Sequence, residues 1–133
     1  VVTNATNYQS YFTFISNSST IYKFDDTLYQ DNAANFSCVI TTGRVDFDTL
    51  NKKFMSRLSI IADRPSDGSQ LLVQWSDNDY QSYNSGISVE LDQDLPSITR
   101  LGSFRQRNFK LTHTDNTPFR IEELEVDINK GIA

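Results

Sequence analysis

The chain has 133 residues, a formal net charge of −5 and 12% aromatic residues. This length predicts one domain, or one domain with a fragment of another. The acidic balance argues against nucleic-acid binding over the whole surface, because such binding needs a basic face that releases counterions, although a local basic patch stays compatible with it. The sequence shows no signal peptide and no apolar run long enough to anchor the chain in a membrane.

Residues 1–34 predict a small β meander. The aromatic-rich run 8–15 and the run 20–24 are each typical of a strand, and turn residues recur about every eight to ten positions, as in sandwiches and propeller blades. Because the chain does not begin with Met, we expect it to be a processed product or an excised piece.

Residues 35–133 predict an antiparallel β-sandwich, so the expected fold class is all-β. The central strand gives the clearest signal: Leu71, Val73 and Trp75 recur at every second position, which predicts a half-buried strand whose apolar face contributes to the core. Alternation resumes over 87–91. The chain is therefore predicted to return beside the central strand as a hairpin.

Two further strands are predicted towards the end of the chain. Residues 105–113 alternate regularly, and both Arg105 and Arg107 fall on the same face as Phe109 and Leu111. Residues 119–128 change phase midway along the strand. A one-residue change of phase moves every following side chain to the other face, so we predict a β-bulge near Glu122 and Glu123.

Ser76, Asp77 and Asp79 form a turn motif after the central strand, because short Ser and Asx side chains hydrogen-bond to their own backbone. The segment also resembles an Asp-box, the Ser-x-Asp-x-Gly-x-Thr-Trp hairpin turn of sialidase propellers, with Tyr80 at the glycine position. A calcium loop offers oxygen ligands at similar positions, but the EF-hand glycine and its distal Glu are absent. We therefore interpret the motif as a solvated structural turn.

Charged residues on the last predicted strand suggest a ladder of ion pairs. Glu123, Glu125 and Asp127 share one strand face. The basic residues that precede them are Arg100, Arg105, Arg107 and Lys110. We expect the two sets to make cross-strand charge contacts, or the same contacts between subunits. The alternatives are a carboxylate pair for glycoside hydrolysis, which needs two acids across a cleft, and phosphate contacts by the arginines.

The sequence predicts no cofactor, no metal site and no catalytic residues. It lacks the phosphate-loop, Rossmann-glycine, zinc-ligand and nucleophile-elbow patterns. Cys38 and His113 are the only cysteine and the only histidine, but a catalytic thiol–imidazole pair would also need a group that orients the base. Cys38 is instead expected to pack as a small apolar residue in a protein made in a reducing cytosol. We predict that the chain is not an enzyme.

Several short motifs occur together in one order along the chain. They are the segments 21–26, 31–32, 36–38, 53–58, 73–79 and 100–111. This combination resembles the C-terminal region of the packaged-DNA stabilisation proteins of short-tailed, P22-like phages, which are head-completion or tail-hub proteins. The most specific pieces are the Trp-Ser-Asp turn at Trp75 and the Arg-Leu-Gly-Ser run that begins at Arg100. The resemblance covers about residues 21–129. It implies that the chain is the C-terminal end of a longer protein, with the meander of residues 1–34 as the remnant of a larger upstream domain, the end of a β-propeller.

The resemblance implies a virion structural protein at the tail or the head–tail junction, made in the host cytoplasm. It implies a homo-oligomeric ring, expected to be a hexamer, beneath the portal. The expected partners are the portal or adaptor protein and the tail needle or fibre proteins. Such a ring would help to close the DNA channel, and direct contact with DNA would be a minor part of its role.

The main alternative function is a carbohydrate-binding β-sandwich module of a phage tail or a secreted protein. In that role Tyr80, Tyr83 and Trp75 would stack on sugar rings. Trp75 shares the phase of Leu71 and Val73, however, which favours a core position over an exposed platform.

Overall fold

The computed structural model describes residues 2–8, 11–16, 19–66 and 68–133. These residues form thirteen β-strands, and every strand pair is antiparallel, which confirms the predicted all-β class. The strands are β1 (Val2–Tyr8), β2 (Tyr11–Ser16), β3 (Ile21–Lys23), β4 (Gln30–Asp31), β5 (Ala34–Asn35), β6 (Cys38–Thr41), β7 (Lys53–Ala62), β8 (Gln70–Ser76), β9 (Ile87–Glu90), β10 (Ser97–Thr99), β11 (Ser103–Phe104), β12 (Asn108–His113) and β13 (Ile121–Lys130). Among these residues there is no helical segment with the length and apolarity that a membrane crossing requires.

The N-terminal strands form a small sheet in the order β1-β2-β3. The sequence predicted one strand over 8–15, and this was wrong: β1 ends at Tyr8 and β2 begins at Tyr11. Residues 9–10 between them lie outside the described residues. The predicted strand over 20–24 corresponds to β3, which pairs with β2.

The short β4–β5 hairpin joins the meander to the sandwich. Gln30 pairs with Asn35 across the hairpin, so the pairing crosses the boundary predicted after residue 34. The backbone N–H of Tyr29 donates to Asn116 Oδ1 at 2.8 Å, which ties this region to the turn after β12. The division into two domains stays a prediction.

Two four-stranded sheets enclose the core. In the first sheet, β7 lies at the centre, with β13 along one edge and β10 and β11 along the other. In the second sheet, the order is β6-β12-β8-β9. Buried side chains from both sheets form one cluster, with Leu58 and Ile60 from the first and Leu71 and Leu111 from the second. This is the antiparallel β-sandwich that the alternating pattern predicted.

The central hairpin forms as predicted. β8 pairs with β9, and Leu71 lies opposite Val89. Leu71 and Val73 are fully buried, whereas Trp75 is half-buried against the core. Gly86 leads into β9 with a φ of +82°, and a Cβ atom there would lie 3.0 Å from the Val73 carbonyl oxygen. A residue with a side chain would therefore be strained at this tight return.

β13 contains the bulge that the change of phase predicted. Its register with β7 shifts between Ile121 and Glu123, and again between Asp127 and Ile128. These shifts keep apolar side chains on the inner face, since Leu124 and Ile128 both pack against the core. The bulge thus allows one strand to line the whole length of β7.

We expect Leu58→Ala to lower the free energy of unfolding by about 2–5 kcal/mol, because truncation leaves a cavity between the sheets. Leu58 is fully buried, whereas Leu95, the matched control, is about half exposed. Leu95→Ala is expected to change the same quantity by less than about 0.5 kcal/mol. Urea unfolding followed by Trp75 fluorescence measures both variants. Equal losses in the two would contradict the placement of Leu58 at the centre of the core.

Candidate functional site

A buried arginine closes one end of the sandwich. The Arg107 guanidinium makes a bidentate pair with Asp77, with Nε 2.7 Å from Oδ1 and Nη2 2.8 Å from Oδ2. Its Nη1 donates to the Leu101 carbonyl oxygen at 2.8 Å. Its Cζ lies 4.3 Å from the centre of the Phe104 ring and 5.4 Å from that of the Trp75 ring. These contacts stabilise the buried cation, so Arg107 is engaged within one chain.

A second cation is buried at the same end. Lys53 is fully buried, and its Nζ donates to the carbonyl oxygens of Thr49 and Asn51. The Nζ atom lies 5.8 Å from the centre of the Phe104 ring. Two cations therefore lie beside one aromatic ring. Backbone oxygens accept hydrogen bonds from Lys53, and a carboxylate and a backbone oxygen accept those from Arg107, so both buried charges have partners.

Asn78 organises the turn after β8. Its Oδ1 accepts hydrogen bonds from the Ser76 hydroxyl at 2.8 Å and from the Ser82 backbone N–H at 3.0 Å, and its Nδ2 donates to Ser82 Oγ at 2.7 Å. Asp79 and Tyr80 have positive φ angles of 60° and 67°. Tyr80 therefore adopts the left-handed conformation at the position where an Asp-box carries glycine. This geometry fits the interpretation of the motif as a structural turn.

The acidic residues of β13 lie on the outer surface of the first sheet. Glu123, Glu125 and Asp127 are exposed, and β13 pairs with β7, so that Asp127 lies opposite Arg57. The ladder predicted between these acids and the preceding basic strand is therefore wrong within one chain. The physical reason is that β6 and β8 occupy both edges of β12, whereas one edge of β7 is open to β13. Contacts between subunits stay a prediction.

The basic residues predicted as one set are distributed over different parts of the molecule. Arg100 is exposed, and Arg105 is exposed and donates to the Leu50 carbonyl oxygen at 2.7 Å. Lys110 lies on β12 with its ammonium group over a tyrosine ring. Since Arg107 is buried, the four side chains do not share one face.

Trp75 and Tyr83 line an open cleft of about 350 Å³ together with Asp77 and Asn84. Polar groups of this cleft are engaged inside the chain: Asn84 Oδ1 accepts the Trp75 backbone N–H at 2.9 Å, and Asp77 is held by the buried arginine. Tyr80 is not among the described residues that line this cleft. The structure therefore brings together two of the three aromatic residues predicted for sugar binding.

His113 lies buried at the opposite end of β12 from Arg107. Its Nε2 lies 2.7 Å from the Ser69 hydroxyl and 3.3 Å from the Thr117 hydroxyl. Its ring stacks on that of Phe119, with centres 4.6 Å apart. Burial lowers the pKa of His113, and the carboxylate of Asp115 partly opposes this shift.

Cys38 lies opposite His113 in the pairing of β6 with β12. The two residues line a cleft of about 180 Å³, and Cys38 is only partly buried. The Nε2 atom of the imidazole is already bonded to two hydroxyl groups. Within the described residues, no three His, Cys, Asp or Glu side chains converge as metal ligands.

An open groove of about 640 Å³ lies beside β3, β4 and β5. Its side chains Phe24, Leu28 and Phe36 are 62%, 55% and 54% exposed. The charged residues that line it are Lys23, Asp25, Asp26 and Asp31. We call this surface the apolar groove. Sequence analysis missed it, although large apolar side chains beside paired aspartates in predicted turns were a usable signal.

No known family model matches the chain, and neither does any curated protein sequence. The resemblance to packaged-DNA stabilisation proteins is thus carried by the sequence motifs alone. It stays a prediction.

We expect Asp77→Asn to lower the free energy of unfolding by about 1–3 kcal/mol, because the buried guanidinium loses its counter-charge. The loss is moderate because water reaches the exposed part of the Asp77 side chain. Asp79→Asn is the control, since the Asp79 carboxylate pairs with the exposed Arg44 at 3.3 Å, and its expected effect is below about 0.5 kcal/mol. Urea unfolding compares the two variants. The same loss in both would contradict the structural role of the Asp77–Arg107 pair.

The lowered pKa of His113 predicts a loss of stability as the pH falls. In the unfolded chain the imidazole has its ordinary pKa of 6.5, whereas the folded protein resists its protonation. The unfolded state therefore binds more protons below that pH, and the free energy of unfolding declines there. At pH values well above 6.5, His113 is neutral in both states, and its contribution to the free energy of unfolding is fully present.

Urea unfolding from about pH 8 down to about pH 5.5 measures the effect, because carboxylates titrate mainly below this range. His113 is the only histidine, so His113→Gln is expected to remove the slope. A slope that persists in this variant, or a flat profile for the original protein, would contradict the assignment.

Proposed function

We propose that this chain is a structural subunit of a phage virion, at the head–tail connector or tail hub, that assembles with copies of itself and with neighbouring virion proteins. In this role it helps to close the portal channel, to retain packaged DNA and to support the tail needle or fibres. The ordered motifs that resemble packaged-DNA stabilisation proteins support the phage assignment. The surface of the fold supports the role in assembly.

The apolar groove is the observation that carries the assembly role. Phe24, Leu28 and Phe36 project from a single concave surface and are each more than half exposed. Contiguous apolar patches on soluble proteins mark sites of interaction. Covering them removes apolar area from water, which contributes roughly 25 cal/mol for each Å² buried. A neighbouring protein that fills the groove would therefore gain substantial binding energy.

The charged surface is compatible with further contacts between subunits. β13 lies at one edge of the first sheet, with Glu123 and Glu125 exposed. Arg100 and Arg105 are also exposed, at other positions on the chain. Opposite charges on different flanks suit a head-to-tail arrangement of identical subunits.

A second candidate function is carbohydrate binding at the cleft between Trp75 and Tyr83. Two aromatic side chains at an open cleft offer a stacking surface for a sugar ring. Glycan-array binding by the protein, lost in Tyr83→Ala, would favour this function over the assembly role.

The proposed function predicts a defined oligomer of the full chain. Native mass spectrometry is expected to show several copies in one complex, with a hexamer expected from the sequence resemblance. Phe24→Ser should shift the distribution towards the monomer, because it removes apolar area from the groove. Leu95→Ser is the control, since Leu95 is similarly exposed outside the groove. A monomer at every soluble concentration would contradict the proposal.

A further inference from the structure

A second exposed apolar surface surrounds the start of β7. Its apolar side chains are Leu50, Phe54 and Ile132, and its cations are Lys52, Arg105 and Lys130. Hydrogen bonds hold these segments together: the Lys52 N–H donates to the Ala133 carbonyl oxygen at 2.9 Å, and the Lys52 carbonyl oxygen accepts the Gly131 N–H at 2.8 Å. Arg105 Nη1 donates to the Leu50 carbonyl oxygen at 2.7 Å. We call this surface the basic patch.

The apolar groove and the basic patch carry opposite charge. The groove has three carboxylates, those of Asp25, Asp26 and Asp31, against the single cation of Lys23. Hydrogen bonds from the Thr27 hydroxyl and backbone N–H lower the pKa of Asp25 and keep it ionised. The patch has three cations. Asp48 and Asp127 are exposed carboxylates close to it in sequence, and Asp127 lies opposite the exposed Arg57. Both surfaces therefore combine large apolar side chains with an excess of one sign of charge.

The two surfaces lie at opposite ends of the sandwich. At the groove, Tyr29 is hydrogen-bonded to Asn116, in the turn that follows the last residue of β12. At the patch, Lys53 pairs with Phe104, whose ring contacts Arg107 just before the first residue of β12. The length of β12 separates the two regions by about 20 Å, at roughly 3.3 Å for each residue. Both surfaces can therefore be occupied at once.

We propose that the apolar groove of one copy binds the basic patch of a second copy, so that subunits associate head to tail. This inference rests on the proposed assembly role and names the surfaces that perform it. Phe54 and Leu50 of one subunit enter the groove beside Phe36 of the next, and the cations of the patch face the aspartates of the groove. Each bound pair keeps one unused groove and one unused patch, so the contact repeats until a ring closes or a filament grows.

Electrostatics favours this pairing over a symmetric one. A groove that faced another groove would bring Asp25, Asp26 and Asp31 against their own copies, and like charges held together in an interface are unfavourable. A patch that faced another patch would bring Lys52, Arg105 and Lys130 against their own copies, which is unfavourable for the same reason. The groove–patch contact alone joins opposite charges and covers both apolar surfaces.

Complementary variants test the inference. The groove variant carries Leu28→Ser and Phe36→Ser, and the patch variant carries Leu50→Ser and Phe54→Ser; all four side chains are more than half exposed, so the fold should be retained. Sedimentation velocity is expected to show self-association of each variant weakened by at least about tenfold. When mixed, the two should form a one-to-one complex that does not grow, because only one intact groove and one intact patch remain.

A control variant with Ile87→Ser and Leu95→Ser removes exposed apolar side chains outside both surfaces and should associate like the original protein. Unchanged association of the groove variant or the patch variant would overturn the inference and leave the proposed function standing. Loss of association in both variants without a complex in the mixture would also overturn it, since an intact groove and an intact patch would then be present without binding each other. A strictly monomeric original chain would instead remove the proposed function itself.

Discussion

The buried Arg107–Asp77 pair ties the two sheets together at one end of the molecule. Arg107 precedes β12 of the second sheet, yet its guanidinium bonds to the Leu101 carbonyl oxygen and packs on Phe104 of the first sheet. A buried charge is costly unless every donor is satisfied, and its bidentate contact with Asp77 meets this requirement. The turn after β8 and the loop before β11 are therefore fixed relative to each other. The basic patch is built on this fixed end.

The opposite end is held by different interactions and presents a different surface. His113 is held by two hydroxyl groups and a stacked ring, and the Tyr29 N–H is bonded to Asn116 Oδ1. Phe36 is left largely exposed there. An apolar surface of this kind is stabilised when a partner covers it. The sandwich thus separates its two exposed apolar surfaces along the strand direction, an arrangement that would suit the proposed repeating contact between identical subunits.

The sequence was sufficient to predict features governed by local periodicity. The central hairpin, the burial of Leu71 and Val73, and the bulge in β13 all follow from alternation with period two. The partner of β13 could not be predicted in this way, because it depends on which strand edges are already occupied. Period two placed both Arg105 and Arg107 on the apolar face of β12, but Arg107 is buried whereas Arg105 is exposed. The two could not be told apart from the sequence, because the counter-ion Asp77 is distant from Arg107 along the chain. The exposed apolar side chains of the groove, Phe24, Leu28 and Phe36, lie in loops, where period two gives no information.

Zero-length cross-linking of mixed isotope-labelled chains tests the groove–patch contact most directly. A carbodiimide joins a carboxylate to a lysine that it touches, and equal mixing of light and heavy chains distinguishes links between copies from links within one copy. The head-to-tail arrangement predicts mixed-isotope links from Asp26 or Asp31 to Lys52 or Lys130. Links between copies that join other surfaces, with none between these residues, would contradict it.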